Sequence, residues 1–329
     1  MRHRGHARRA GVGILSESSF QSVMRAASRR GVLRAGLGMV ALGTAGGLSA
    51  CGRGKDKAQG AASPKPGDEQ QGGAPEGSLE WAVAGDWRAA DRPRDRWRHP
   101  METLSFFGLR PEISVIEVWP GKGWWTEILA PYLARNRGRL TSATFELGDP
   151  PDSAQAALAR AYKDRFRGDK RLYGDVKLTE FGAASGPLAD PGKADLVLFM
   201  ETVGEWMAAG VVDKAFRDAF AALRPGGVLG VVQPRANIGS NQDPAATNGY
   251  VQEPYLKQMA AEAGFAFVAA SEINGNPKDT KDHPFGVWTL PPTRLSAPRG
   301  QPENPNFNHA KYDLIGESDR MTLKFRKPQ

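Results

Sequence analysis

The run Ile113 to Val118 is short, rich in β-branched residues and nearly all apolar, and the turn Trp119-Pro120-Gly121-Lys122-Gly123 follows it at once. A strand that apolar must be buried on both faces, as in a parallel sheet covered by helices. After the turn, Trp125, Ile128, Leu129 and Leu133 stand at i, i+3, i+4 and i+8. They mark one stripe of a helix that Trp124 opens and Gly138 ends. Strand, glycine turn and helix form the first unit of a Rossmann-like sheet. Leu140 to Phe145 reads as the second strand and closes the βαβ. Glu146 stands at its carboxyl end, about twenty residues past the glycines, where an acid can accept hydrogen bonds from ribose hydroxyls.

The alternation continues. Ala154 to Phe166 and Val212 to Leu223 read as helices, with strands at Val176–Phe181 and Ala194–Met200. The turn Arg224-Pro225-Gly226-Gly227 leads into a fifth strand, Val228–Val232, and a helix Glu253–Ala263 precedes a sixth, Phe265–Ala270. At the far end Met321, Leu323 and Phe325 alternate with Thr322, Lys324 and Arg326, the pattern of a half-exposed strand suited to a sheet edge. The pattern predicts an α/β fold: a Rossmann-like, seven-stranded, mostly parallel sheet with helices on both faces and an antiparallel last strand. Upstream, Trp81 to His99 carries three Trp and many charges, and Asp91-Arg92 and Asp95-Arg96 stand four apart, as on one shared face of a helix. Pro100 opens a further helix through Leu104, Phe106 and Phe107, and Gly108 stops it. Between the sixth and last strands, residues 271–319 are dense in Pro, Asn and Asp. Loops that long are usually functional, and this one begins on the side where a parallel sheet binds ligands.

The net charge of +8 points to nucleic acid until it is located. Residues 1–50 hold eight Arg, no Lys and one acid, which leaves only +1 for the rest of the chain. A near-neutral body has no electrostatic case for phosphate contact, so no nucleic-acid partner is expected. The basic signal belongs to a leader. Ser28-Arg29-Arg30-Gly31-Val32-Leu33-Arg34 reads as a twin-arginine export signal, which implies the machinery that carries folded cargo. Ala35 to Leu48 is weakly apolar and too short to span a bilayer, which takes about 20 residues. Leu48-Ser49-Ala50-Cys51 then resembles a lipobox, with Cys51, the sole cysteine, as the lipidated residue; a lone buried Cys is the plainer alternative. Met24 is a candidate start just upstream of the arginines. Residues 1–51 are thus expected to be a lipoprotein signal, and 52–78, poor in large apolar groups, a disordered tether with a reach of roughly 30 Å. Residues 79–329 are expected to be one domain, held to the membrane only by lipid and facing the periplasm.

Together these residues resemble the class I S-adenosylmethionine-dependent methyltransferases. The carriers are the order of elements, the Gly-x-Gly turn, the acid after the second strand, Leu223-Arg224-Pro225-Gly226-Gly227 and the closing Arg-Met-Thr-Leu-Lys-Phe strand. More narrowly, the chain is similar to a group of exported bacterial predicted methyltransferases. That likeness rests on Trp119 to Trp124, Trp125 to Leu133, Ser271 to Asp282, Gly286 to Pro292 and Ile315 to Arg320. It implies methyl transfer from S-adenosylmethionine to an unidentified small molecule. It places Gly121 and Gly123 against the methionine part of the cofactor, Glu117 near the same groups, and Glu146 on the ribose. Two departures stand out. Trp119 occupies a position that is glycine in the usual class I turn, where its ring either blocks the cofactor or stacks on it. Gly204-Glu205 and Gln233-Pro234 stand where the exported relatives carry histidines. These departures motivate the alternative of a non-catalytic, ligand-binding lipoprotein on the same fold.

Other side chains have two readings each. Asp279, Asp282 and His283 suit a general base with an orienting carboxylate, or a solvated polar loop; no spacing among them fixes a metal site. Trp119, Trp124, Trp125 and Trp206 form either an aromatic wall for a purine or sulfonium, or core packing. Glu201 and Glu205 are proton-handling groups or exposed loop acids. Arg235 is a fork for a carboxylate or phosphate, or half of a structural salt bridge.

Overall fold

The computed structural model describes residues 73–146 and 153–329. The twin-arginine segment, Cys51 and most of the tether lie outside the described residues. The last residues of the expected tether pack on the domain: Arg135 pairs with Glu76, and Asn136 Nδ2 donates to the Gly77 carbonyl at 2.7 Å. Ser78 Oγ then accepts from Trp81 N at 3.0 Å and caps helix α1 (Leu79–Ala84).

Pro93 keeps the following charged stretch from forming one helix. It becomes two 3-10 turns, Asp86–Arg88 and Arg92–Arg94, and a single turn of helix, α2 (Asp95–Arg98). The expected shared helical face is therefore not formed. Asp95 pairs with Arg88, and Arg92 with Asp86. Helix α3 (Pro100–Phe107) ends at Gly108 in the left-handed conformation, φ 88°.

β1 (Ser114–Val118), α4 (Thr126–Arg135), β2 (Arg139–Phe145), α5 (Ala154–Gly168), α6 (Lys170–Tyr173), β3 (Lys177–Phe181) and β4 (Ala194–Met200) follow. Then come α7 (Val203–Ala209), α8 (Val212–Ala222), β5 (Leu223–Pro234), α9 (Glu253–Glu262), β6 (Ala266–Ser271), α10 (Ala310–Ile315) and β7 (Arg320–Arg326). The seven strands form one sheet in the order β3-β2-β1-β4-β5-β7-β6. The pairs among β1 to β5 are parallel, and β7 runs antiparallel to both neighbours. This is the expected fold class.

Alternation along the strands feeds two cores. Ile116, Val118, Val197 and Phe199 face the layer that holds Phe216 and Leu256, from α8 and α9. Val115, Leu196, Leu198 and Met200 face the layer of Leu104, Ile128, Leu129 and Phe166. In α4, Pro131 supplies no N–H to the Glu127 carbonyl four residues back, and Trp87 Nε1 donates to that carbonyl instead, at 2.9 Å.

β7 corrects one expectation: it is an inner strand. Met321, Leu323 and Phe325 enter the core, and of the alternate residues Thr322 and Lys324 are covered while Arg326 is exposed. Thr322 Oγ1 accepts from Asn274 Nδ2 at 2.8 Å, and Lys324 Nζ donates to the Phe106 carbonyl at 2.9 Å. β6 takes the edge and leaves Phe267 and Val268 exposed. The long insertion is ordered too. It contains a 3-10 turn, Gly286–Thr289, and α10, and Asn276 Nδ2 ties it down through the carbonyls of Ile315 and Glu317.

Gly230 in β5 lies against Phe107 of α3; a Cβ there would stand 2.6 Å from the ring. Gly230→Ala is expected to lower stability by about 1–3 kcal/mol through overpacking. Urea unfolding would register this as a lower midpoint at unchanged slope, and an unchanged midpoint would refute the packing described.

Candidate functional site

β1 has β2 on one side and β4 on the other, so the chain leaves its carboxyl end in opposite directions and opens a crevice there. The turn after β1 forms one bank. Trp119 adopts φ 51°, unusual for a bulky residue, and its N–H donates to the Ala143 carbonyl at 2.8 Å. Its ring is half-buried and lies across the ends of β2 and β3. The centroid is 4.8 Å from that of Phe145 and 5.8 Å from that of Trp206, and Nε1 donates to the Phe181 carbonyl at 2.8 Å. The two glycines differ. Gly121, φ 60°, has open space where a Cβ would point, whereas a Cβ on Gly123 would strike the Phe166 ring. Gly123 therefore serves close approach of α5, and Gly121 leaves room on the outer side. Glu146 is half-buried at the end of β2, and its Oε2 accepts from Ala184 N at 3.2 Å.

Glu117 turns the other way. It is 1% exposed, and Thr126 Oγ1 donates to its Oε2 at 2.6 Å. Thr126 is in turn 2.8 Å from the Tyr162 hydroxyl, which donates to Ser142 Oγ at 2.7 Å. The chain of hydroxyls binds β1, α4, α5 and β2 together beneath the turn. Burial pushes the Glu117 carboxyl up to about 7, against the opposing hydrogen bond from Thr126.

The other bank lies beyond β4, where a cleft of about 140 Å³ opens under the insertion. Arg98, Glu205, Gln233, Trp288, Glu317 and Ser318 are among its walls. Glu201, at φ 66°, ends β4. Its Oε2 accepts from Arg98 Nη2 at 2.9 Å and its Oε1 from Arg320 Nη1 at 2.7 Å. Glu317 accepts from Arg94, Arg98 and Arg320 at 2.6, 2.9 and 2.9 Å. Burial opposes ionisation of Glu201, but Arg98 and Arg320 outweigh it and bring the carboxyl down to about 2. Glu205 binds both terminal nitrogens of Arg299, whose guanidinium lies 3.4 Å over the Trp288 ring. The insertion thus forms the outer wall of the cleft.

The remaining candidates separate. The four tryptophans form two groups: Trp119 and Trp206 belong to one face of the sheet, Trp124 and Trp125 to the other. Asp279 and His283 are fully buried side chains, joined at 2.8 Å, with the Tyr250 hydroxyl and Asp319 N also donating to Asp279. They are therefore a pin that holds the insertion to β7. Asp282 lies apart, exposed and bonded to the Thr280 hydroxyl. Arg235 spends its fork on Glu272, at 2.7 and 2.6 Å, and also binds Asp319. Sequence reasoning missed Arg98, Glu317 and Arg320 as members of one site. The available signal was a charged residue at each end of buried apolar elements, since such charges need partners.

No family model matches the chain, and no curated protein matches it. Solved structures do. The [4+2]-cyclase SpnF is 20% identical, with 70% of this chain and 80% of that chain covered and a TM-score of 0.45. An S-adenosylmethionine-dependent methyltransferase from Aquifex aeolicus is 13% identical, covers 57% and 90%, and has a TM-score of 0.42. The geranyl diphosphate C-methyltransferase of Streptomyces coelicolor A3(2), in complex with Mg²⁺, geranyl diphosphate and S-adenosylhomocysteine, is 14% identical, covers 73% and 83%, and has a TM-score of 0.47. Likeness this remote carries no assignment of activity.

A carboxyl whose folded pKa is raised stabilises the fold below its unfolded pKa and loses that contribution as pH rises through the folded value. For Glu117 the window runs from 4.5 to about 7. Glu117→Gln removes the titration. Urea unfolding at several pH values is expected to show the variant gaining on the parent across that window, by up to about 3 kcal/mol. A difference that does not change with pH would refute the buried placement of Glu117.

Proposed function

We propose that the chain binds S-adenosylmethionine at the ends of β1 and β2 and transfers its methyl group to a small molecule held in the cleft beyond β4. The observation that carries the reading is the division of the crevice at the β1/β4 switch. A half-exposed ring, open space beside a glycine and a half-buried acid lie on one bank, and a charged cleft lies on the other. The residues present fit the nucleoside end of the cofactor. Gly121 leaves room for close approach, Trp119 offers a ring face for a purine, and Glu146 has an oxygen without a partner among the described residues, suited to ribose hydroxyls. Glu117 is enclosed and takes no part. The cofactor supplies an electrophilic methyl group when bound.

The chain's own contribution is position. Glu146 and Trp119 fix one reactant, and the walls of the cleft fix the other, so that acceptor and methyl donor meet in a set orientation. Glu201 is locked as an anion by two guanidinium groups and is a poor proton acceptor. Glu317 is held by three guanidinium groups, and Glu205, the third carboxylate of the cleft, must leave Arg299 to take a proton.

A second reading is binding without turnover. It is favoured by the packing and hydrogen bond that hold the Trp119 ring in place. The sequence-level export signal also belongs to the proposal: residues 1–51 would be a lipoprotein signal, Cys51 the lipidated residue, and the domain a periplasmic, lipid-anchored body. A chain exported folded by the twin-arginine route would carry a ligand loaded in the cytoplasm.

Calorimetric titration of the full chain with S-adenosylmethionine and S-adenosylhomocysteine tests the cofactor. Both are expected to bind, and Glu146→Ala is expected to weaken them by about tenfold or more, roughly 1.4 kcal/mol, with the unfolding midpoint unchanged. Absence of heat with either ligand would remove the reading. Binding with no methyl product from any acceptor would leave the second.

A further inference from the structure

We infer that the cleft beneath the insertion is a site for a singly charged carboxylate with a flat apolar body. Three guanidinium groups, Arg94, Arg98 and Arg320, converge on two carboxylates, Glu201 and Glu317. The set carries one positive charge more than it can neutralise. The Arg98, Glu317 and Arg320 side chains are 8%, 4% and 1% exposed, and those of Arg94 and Glu201 25% and 24%, so water reaches the rim of the set but not its centre at Arg98. A surplus charge held largely out of solvent calls for a counter-ion. Neighbouring ionic groups do not supply one. Glu205 is matched by Arg299, and Asp319 and Glu272 are held by Arg235, with Lys281 on Asp319 as well.

The donors for such an anion are in place. Arg98 gives Nε to Glu317 and Nη2 to Glu201, which leaves Nη1 with no acceptor among the described residues. Arg98 lines the cleft, and so does Ser318, whose hydroxyl has no hydrogen bond among the described residues. Both oxygens of Glu201 already receive a guanidinium N–H, so its charge is offset and does not repel the ligand. Across the cleft stand Val287, Trp288, Pro291 and Pro292. Trp288 is backed by the Arg299 guanidinium and presents a flat apolar wall. One charged corner facing apolar walls selects an anion attached to a flat hydrophobic group.

The inference takes the cleft as the acceptor ground of the preceding reading, but the carboxylate would bind without any cofactor. The test is run in that way. The full chain, in buffer free of carboxylates and without S-adenosylmethionine or S-adenosylhomocysteine, is titrated with benzoate, benzamide and benzylamine. Failure of the cofactor titration leaves this outcome untouched, and the reverse holds as well. Benzoate is expected to bind about tenfold or more tightly than benzamide, and benzylamine to give no heat. Ser318→Ala, which breaks no other hydrogen bond, and Arg98→Lys, which keeps the charge and loses the fork, are each expected to weaken benzoate about threefold to tenfold. Ser318→Ala is expected to keep the parent's unfolding midpoint, so the proposal stays testable if the Arg98 variant fails to fold. Equal binding of benzoate and benzamide, preference for benzylamine, benzoate affinity unchanged in Ser318→Ala, or no benzoate heat up to about 10 mM would each overturn the proposal.

Discussion

Five charges meet where the N-terminal helical segment, the end of β4, the close of the insertion and the start of β7 converge. Arg94 and Arg98 come from the first, Glu201 from the second, Glu317 from the third and Arg320 from the last, and Arg320 also reaches the Trp97 carbonyl at 2.6 Å. Buried ion pairs gain little over apolar packing, because desolvation offsets the attraction. Removing one partner is another matter: it strands the others and costs about 3–5 kcal/mol. The set therefore fixes geometry more than it adds stability. With Asp279, His283 and Tyr250 it holds nearly fifty residues of insertion against the sheet, and the cleft exists because that insertion stays there.

The same sheet serves two kinds of ground. At the ends of β1 and β2 the side chains are aromatic and the backbone is pared down to glycine, and the nearest buried acid, Glu117, is committed to a hydroxyl chain inside the fold. Beyond β4 the walls are ionic on one side and apolar on the other. The first ground suits a nucleoside and the second a small anion. That difference follows from topology: the strands flanking β1 on its two sides carry different helices and different loops to the same edge of the sheet.

Much of this was legible in the chain. The run from Ile113 to Gly123, the acid at 146 and the strand–helix alternation forecast the parallel part of the sheet, because buried strands and amphipathic helices leave periodic marks. The failures share one cause. Alternation shows that a face is polar, but not whether water or a protein group satisfies it. Thr322 and Lys324 looked solvated, yet their partners Asn274 and Phe106 lie 48 and 218 residues away. Asp279 and His283 looked like a loop pair or a catalytic one, and they are a buried pin whose other partners are Tyr250 and the backbone of Asp319. Arg98 and Glu317 are 219 residues apart, a pairing no local pattern records. Glu117 and Glu146 both follow the strand rule, and only burial separates the structural acid from the accessible one.

The division of the crevice is the claim on which the account stands, and amide hydrogen exchange of the full chain with and without S-adenosylhomocysteine tests it most directly. Added ligand is expected to slow exchange in peptides spanning Trp119 to Gly123 and Phe181 to Ser185, with peptides spanning Val287 to Thr293 unaffected. Protection confined to residues 287–293 and 317–318, or no protection at saturating ligand, would contradict it.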